Sequence, residues 1–260
     1  MPHVLAKALT GEIDRAVAGL DTVCDGIPQL IDDTPTARML PFANRFAAGR
    51  LLGRALAQYA ASGAVVLGIA REGLVVADGV ADELGLQLDV WVVRKLVPPT
   101  QPLAIVGAIS EGAGVVIDKE AVDGAELTRN QLRALARDAA EELTADAKRF
   151  RHGRHPANLR GRTAIIIDDG VRTGGTFAAA IAGARRRGAA KIVLAAPVGV
   201  GGAVDALREL VDEIVCLAAP ARLRRVGAWY TDFRRVPEVT LVKILDQRAS
   251  QNGGAGRAIA

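Results

Sequence analysis

The stretch Ala164-Ile-Ile-Ile-Asp-Asp-Gly-Val-Arg-Thr-Gly-Gly-Thr176 constrains this chain more than any other. Four apolar residues in a row suit a strand buried on both faces. They deliver Asp168 and Asp169 to the strand's carboxyl end, which is where open α/β sheets hold ligands. Carboxylates accept hydrogen bonds from vicinal hydroxyls. The turn Thr173-Gly174-Gly175-Thr176 then gathers backbone N–H groups and two hydroxyls at the start of a helix, whose positive end attracts anions. A diol site beside a phosphate site fits a ribose 5-phosphate. Asp-Asp or Thr-Gly-Gly-Thr alone is equally the mark of an ordinary strand–turn–helix with Thr176 as N-cap; both together at this spacing point to the ligand. The loop is not a Walker A loop, because no Gly-Lys-Ser/Thr is present.

The rest of the chain repeats the same rhythm. Short apolar runs at Ala64–Ile69, Leu88–Val93, Thr163–Ile167, Lys191–Ala196 and Glu213–Leu217 read as buried strands. Helical patterns fall at Phe42–Ala60, Gly73–Leu84, Thr176–Arg187 and Ala203–Leu210, the second and third closed by Gly85 and Gly188. This alternation predicts an α/β fold: a parallel twisted sheet with helices on both faces. Only 3% of residues are aromatic, so the core must be built from Ala, Val, Leu and Ile. Between Leu96 and Gly161 the rhythm breaks. Leu103–Ser110 and Gly114–Ile117 read as an antiparallel hairpin around Glu111-Gly112-Ala113-Gly114, and a long helix runs from an N-cap at Thr128 to about Arg151. The expected organisation is an N-terminal extension (1–40), one domain (41–248) with a helical insertion at about 119–157, and a flexible tail (249–260).

Charge and cysteine content narrow the function classes. The net charge is +4 and the pI about 9.4, which permits an anionic ligand. The arginine runs Arg185–Arg187 and Arg222–Arg225 carry no nucleic-acid recognition motif. Cys24 and Cys216 are too few and too far apart for a disulfide framework, which suggests a reducing compartment. No apolar run approaches the ~18 residues of a membrane span, and no signal-peptide pattern opens the chain, so a soluble, cytoplasmic protein is expected. His152 and His155, with Arg149, Arg151, Arg154, Arg160 and Arg162, read as a solvated basic linker and not a metal site. Gly199-Val-Gly-Gly202 reads as a plain turn.

Ala164–Thr176 resembles the signature of type I phosphoribosyltransferases: an apolar strand, two acidic residues and a Thr-Gly-x-Thr phosphate loop. Val65-Val-Leu-Gly-Ile-Ala-Arg-Glu-Gly73 is similar to that family's first strand and pyrophosphate loop, and Val92-Val-Arg-Lys-Leu96 to its second strand with a basic end. Residues 97–117 fall where the family keeps a flexible hairpin that closes over the site. Arg222–Phe233, with Trp229-Tyr230, falls where it carries a small C-terminal hood. The resemblance covers about residues 42–235.

It implies 5-phosphoribosyl-1-pyrophosphate (PRPP) as one substrate, a small nitrogenous acceptor as the other, and Mg²⁺ as cofactor. Asp168 and Asp169 would bind the ribose hydroxyls and reach the ion through water. Thr173, Gly174, Gly175 and Thr176, with Arg172, would hold the 5-phosphate. Ala70, Arg71, Glu72 and Gly73 would form the pyrophosphate loop, in which a strained or cis peptide is common, with Arg94 and Lys95 facing the pyrophosphate. Trp229 and Tyr230 would either stack on the acceptor or pack beneath the hood. Arg71, and Arg94 with Lys95, also read as plain surface charges. Arg172 stands where some purine enzymes of the family have an acidic residue; an arginine cannot act as a general base at neutral pH, so it would contact phosphate or an acidic acceptor, or simply face solvent. Family members are commonly dimers, so a homodimer is expected. The alternative to catalysis is a PRPP- or nucleotide-sensing regulatory protein.

Overall fold

The computed structural model describes residues 41–255, with side chains as far as 251. The N-terminal extension, Cys24 and residues 256–260 lie outside the described residues. Five strands form the main sheet: β1 (Val65–Ile69), β2 (Gln87–Trp91), β6 (Thr163–Ile167), β7 (Lys191–Val198) and β8 (Glu213–Ala218). Their order is β2-β1-β6-β7-β8, every pair parallel. The chain leaves β1 towards β2 on one side and returns to β6 on the other. The crevice between the carboxyl ends of β1 and β6 is therefore the point where the strand order reverses, the usual ligand position in such sheets.

Burial explains the strands. Every residue of β1 is buried, and so is each of β6 after Thr163. Helix α1 (Arg45–Ala55) starts at Asn44, whose side chain accepts from the Ala47 N–H, and α2 (Gly73–Leu84) stops at Gly85 in the left-handed conformation (φ 63°). The two helices meet backbone to backbone through glycines. A methyl group on Gly49 would sit on the Val76 carbonyl oxygen, and one on Gly79 on that of Phe46. Gly49→Ala is therefore expected to destabilise the fold by about 1–3 kcal/mol, read from urea denaturation; an unchanged midpoint would mean the helices can separate freely.

Three expectations change between β2 and β6. The run at 88–93 is not one strand: the chain leaves the main sheet at Val92, and β3 (Val93–Leu96) pairs instead with β4 (Gly107–Ser110), itself paired with β5 (Gly114–Ile117), in a separate antiparallel sheet. The strand expected at 103–110 begins only at Gly107. The expected flexible hairpin is largely a packed element, because β4 and β5 are clamped to helix α5 (Gly175–Arg186). Ser110 Oγ donates to the Ala179 carbonyl (2.6 Å), and Cβ atoms at Gly112 and Gly114 would strike the carbonyls of Gly183 and Ala179. What projects into solvent is the segment from Pro99 to Ile105, with Leu103 97% exposed.

The insertion consists of α3 (Lys119–Gly124) and α4 (Arg129–Arg151), the latter opened by a capping box between Thr128 and Gln131. Its end corrects the reading of the basic cluster. Arg151 is 4% exposed and bonded to Asp89 and Glu111, because three chain segments close over it. Arg149 pairs with Asp146 and Glu238, and Arg154 with Asp246, so the stretch is an ion-paired seam against α7 (Glu238–Ala255). That helix also replaces the tail expected from residue 249, at least as far as Ala255. The glycine turn after β7 opens a further helix, α6 (Gly201–Arg208). Among the described residues no helix is long and apolar enough to cross a membrane.

Candidate active site

Asp168 and Asp169 follow β6 directly, at the reversal point. Gly73, the first residue of α2, lies so close that a Cβ there would be 2.7 Å from Asp168 Oδ1. The acid pair and the loop Ala70–Gly73, which contains a cis peptide between Ala70 and Arg71, are thus in contact. The Asp168 carboxyl is pushed well above the ordinary range, first by burial and then by the neighbouring Asp169 charge, with Lys95 opposing. Asp169 is raised less decisively: burial lifts it while Arg45 holds it down.

Arg45 was not legible as a site residue. It is 5% exposed, donates from Nε to Asp169 Oδ2 (2.9 Å) and from Nη1 to the Arg234 carbonyl (3.0 Å), and lies 3.7 Å above the Phe233 ring. In sequence it is one of three arginines spaced along an amphipathic helix, and only the packing of that helix against β7 and β8, which brings it to Asp169, singles it out. The arrangement divides the pair's work. Asp169 is already bonded, while among the described residues Asp168 has only its own neighbour's N–H as a hydrogen-bond partner (2.8 Å).

The turn Thr173–Thr176 follows. Gly174 caps α5 with φ 80°, a left-handed conformation that suits glycine, and no side chain caps the helix. Thr176 therefore lies inside the first turn and not at the N-cap, and it lines the same cavity as the acids. That cavity, of 680 Å³, is walled by Ala70, Arg71 and Glu72, by Arg94 and Lys95 on β3, by Asp138 and Glu142 on α4, and by Asp168, Asp169 and Thr176. Five carboxylates thus face three cations. Lys95 is exposed and close enough to lower the Asp168 pKa. Arg94 is committed elsewhere: its guanidinium pairs with Asp146 and Glu142 of α4, although its Nε is buried without a partner.

Tyr230 is not an open stacking surface. It is buried between Phe42 and Phe233 and donates its hydroxyl to the Asp169 carbonyl (2.7 Å), so it props the acid pair from below. Trp229 is half-buried and absent from the walls of the cavity. Arg172 is exposed just before the Thr173–Thr176 turn, facing the 226–228 segment across a second cavity. Cys216 is a free thiol, its pKa pushed up to about 11 by burial.

The family model of the phosphoribosyl transferase domain matches residues 43–218, from the start of α1 to the end of β8. The chain belongs to the phosphoribosyl transferase domain family. It is 42% identical over 215 residues to a Mycobacterium tuberculosis protein, found in strains CDC 1551 / Oshkosh and ATCC 25618 / H37Rv, that carries the provisional name phosphoribosyl transferase. The match takes in 83% of this chain and 48% of that protein, so the chain spans about half the length of the curated relatives it matches. The crystal structure of TT1426 from Thermus thermophilus is similar at 37% identity and a TM-score of 0.68, over 79% of this chain and 98% of that one. Within the phosphoribosyl transferase match lie Arg45, the loop at Ala70–Gly73, the acid pair and the phosphate loop; Trp229, Tyr230 and Phe233 lie beyond it.

Proposed function

We propose that this chain binds PRPP and moves its phosphoribosyl group to a small nitrogenous acceptor, releasing pyrophosphate. One observation carries the reading. The acid pair, a helix N-terminus with Thr176, the Ala70–Gly73 loop and Lys95 all border the same 680 Å³ cavity at the sheet's reversal point. That set offers a place for each part of PRPP.

In this reading Asp168 and Asp169 accept from the ribose hydroxyls, and Thr173 to Thr176 hold the 5-phosphate with backbone N–H groups and hydroxyls. Arg71 and Lys95 offset charge on the pyrophosphate, while Arg94 stands in the wall behind them, tied to Asp146 and Glu142. The acceptor nitrogen approaches C1 from the face opposite the pyrophosphate. The C1–O bond breaks, its electron pair leaves with the pyrophosphate, and the C1–N bond forms. The residues' task is to fix the ribose and to neutralise the leaving group.

The donor set fits a magnesium ion. Carboxylates outnumber cations around the cavity, so a polyanionic substrate needs additional positive charge to enter. Among the described residues no cluster of three or more ligating side chains is preformed, so Asp168 and Asp169 would hold the ion with help from substrate and water oxygens. When bound, Mg²⁺ supplies charge neutralisation to the pyrophosphate. A homodimer and a cytoplasmic setting belong to the same proposal.

Pyrophosphate release from PRPP and Mg²⁺ across a broad acceptor panel tests this reading. PRPP binding with no release from any acceptor would favour a sensor instead. Thr176→Ala is expected to weaken ribose 5-phosphate binding by about tenfold, since one hydroxyl bond to a charged phosphate is lost. Unchanged affinity in calorimetry would remove Thr176 from the site.

A further inference from the structure

The second cavity, of 490 Å³, is lined by Arg172, Arg225, Val226, Gly227, Ala228 and Phe233. It abuts the acid pair by two routes. Gly170 packs on Val226, where a Cβ would come within 2.7 Å of a Val226 methyl. Phe233 lies under the Arg45 guanidinium, which is itself bonded to Asp169. An acceptor resting here would therefore stand next to the ribose site.

The lining is unlike that of the first cavity. Among the described residues it holds two arginines and no carboxylate, on an apolar floor. Most arginines of the described chain are tied to partners, among them Arg45, Arg94, Arg149, Arg151, Arg154 and Arg248. Arg172 and Arg225 are exposed and make no ion pair among the described residues. A guanidinium fork matches a carboxylate and stacks on flat rings. Equally informative is what the lining lacks: among the described residues no side chain there can take a proton at neutral pH, because arginine stays charged.

We propose that this cavity receives the acceptor, and that the acceptor is a flat nitrogen heterocycle bearing a carboxylate, held by Arg172 and Arg225 over Phe233. The inference rests on the phosphoribosyl transfer reading. The nucleophile is then a ring nitrogen with a free lone pair. It attacks C1, the C1–O bond breaks, pyrophosphate leaves with that electron pair, and the ring nitrogen becomes cationic. No proton has to move, which suits a site without a base. A neutral base that must lose a proton as it reacts finds neither its partner charge nor its proton acceptor here.

The test uses the full chain with PRPP and Mg²⁺, and nicotinate against nicotinamide, which differ in charge but hardly in shape, with hypoxanthine as a neutral third. Acceptor binding is measured by calorimetry and turnover by pyrophosphate release. Nicotinate is expected to be preferred over nicotinamide by about tenfold or more. Arg172→Ala and Arg225→Ala should each shrink that ratio, with Arg225→Lys restoring part of it. The ratio is read within each variant, so a general loss of PRPP affinity cancels. PRPP that binds while nicotinate gains no advantage, or a preference that survives both alanine variants, would overturn this inference alone. Failure to bind PRPP at all would overturn the transfer reading and this inference with it.

Discussion

Arg151→Met is expected to destabilise the fold by about 3–5 kcal/mol, the usual cost of breaking a buried ion pair from one side. Arg151 donates from Nε to Asp89 Oδ1 (2.9 Å), from Nη1 to Glu111 Oε2 (2.8 Å), and from Nη2 to Glu111 Oε1 (3.1 Å) and the Val90 carbonyl (2.5 Å). The carboxylates also hold backbone: Glu111 accepts from the Val92 N–H (3.0 Å) and Asp89 from the Ala157 N–H (2.8 Å). One guanidinium thus ties together the end of α4, the point where the chain leaves the main sheet, the β4–β5 turn and the return towards β6. Burial alone would lower its pKa, but Glu111 and Asp89 carry it above the ordinary value, so it stays charged. Methionine keeps much of the bulk and leaves two buried carboxylates facing each other. A urea titration should show the loss, and the melting temperature should fall by about 10 °C. Adding Glu111→Gln should recover part of it, because one orphaned charge disappears. A loss under about 1 kcal/mol would mean that water reaches the triad.

Asp168→Asn should act in opposite directions on binding and stability. PRPP affinity should fall by about 100-fold, since the carboxylate proposed to accept from ribose hydroxyls and to help hold Mg²⁺ is replaced by a neutral amide. The ligand-free protein should become more stable. In the fold the Asp168 carboxyl is raised from its ordinary 3.8 by burial and by Asp169, so ionising it is costly. The folded state consequently holds its proton to higher pH than the unfolded chain. The penalty is absent below about 3.8, grows as pH rises towards the folded pKa, and is fully present above it. In chelator the variant should therefore melt about 2–4 °C above the parent near neutral pH, a shift of ~1 kcal/mol in a chain of this size. The advantage should vanish in acid. Equal melting temperatures at neutral pH would mean that the carboxylate is solvated, and unchanged PRPP affinity would remove Asp168 from the site.

The main sheet and one side of the candidate site are legible in the chain's local pattern. Strands such as Val65–Ile69 and Thr163–Ile167 are unbroken apolar runs because both of their faces are covered, and that need is written locally, residue by residue. The acid pair and phosphate loop are legible for the same reason: strand, turn and helix are consecutive, so the geometry of Asp168 to Thr176 follows from local chain direction. What stands against them is set by contacts between distant segments. Arg45 lies 124 residues before Asp169, and nothing within its own helix distinguishes it from Arg50 or Arg54, which pair with Glu83 on the surface. Arg151 reads as one charge in a basic run until Asp89 and Glu111 arrive from distant segments. Arg94 reads as a ligand residue until α4 presents Asp146 to it. Tyr230 reads as either a platform or packing beneath the hood until Phe42 and Phe233 bury it. An arginine's pattern in sequence is the same whether it meets water, a ligand or a buried carboxylate. The difference lies in desolvation, and desolvation depends on which segments the fold brings across the chain, which the local pattern does not encode.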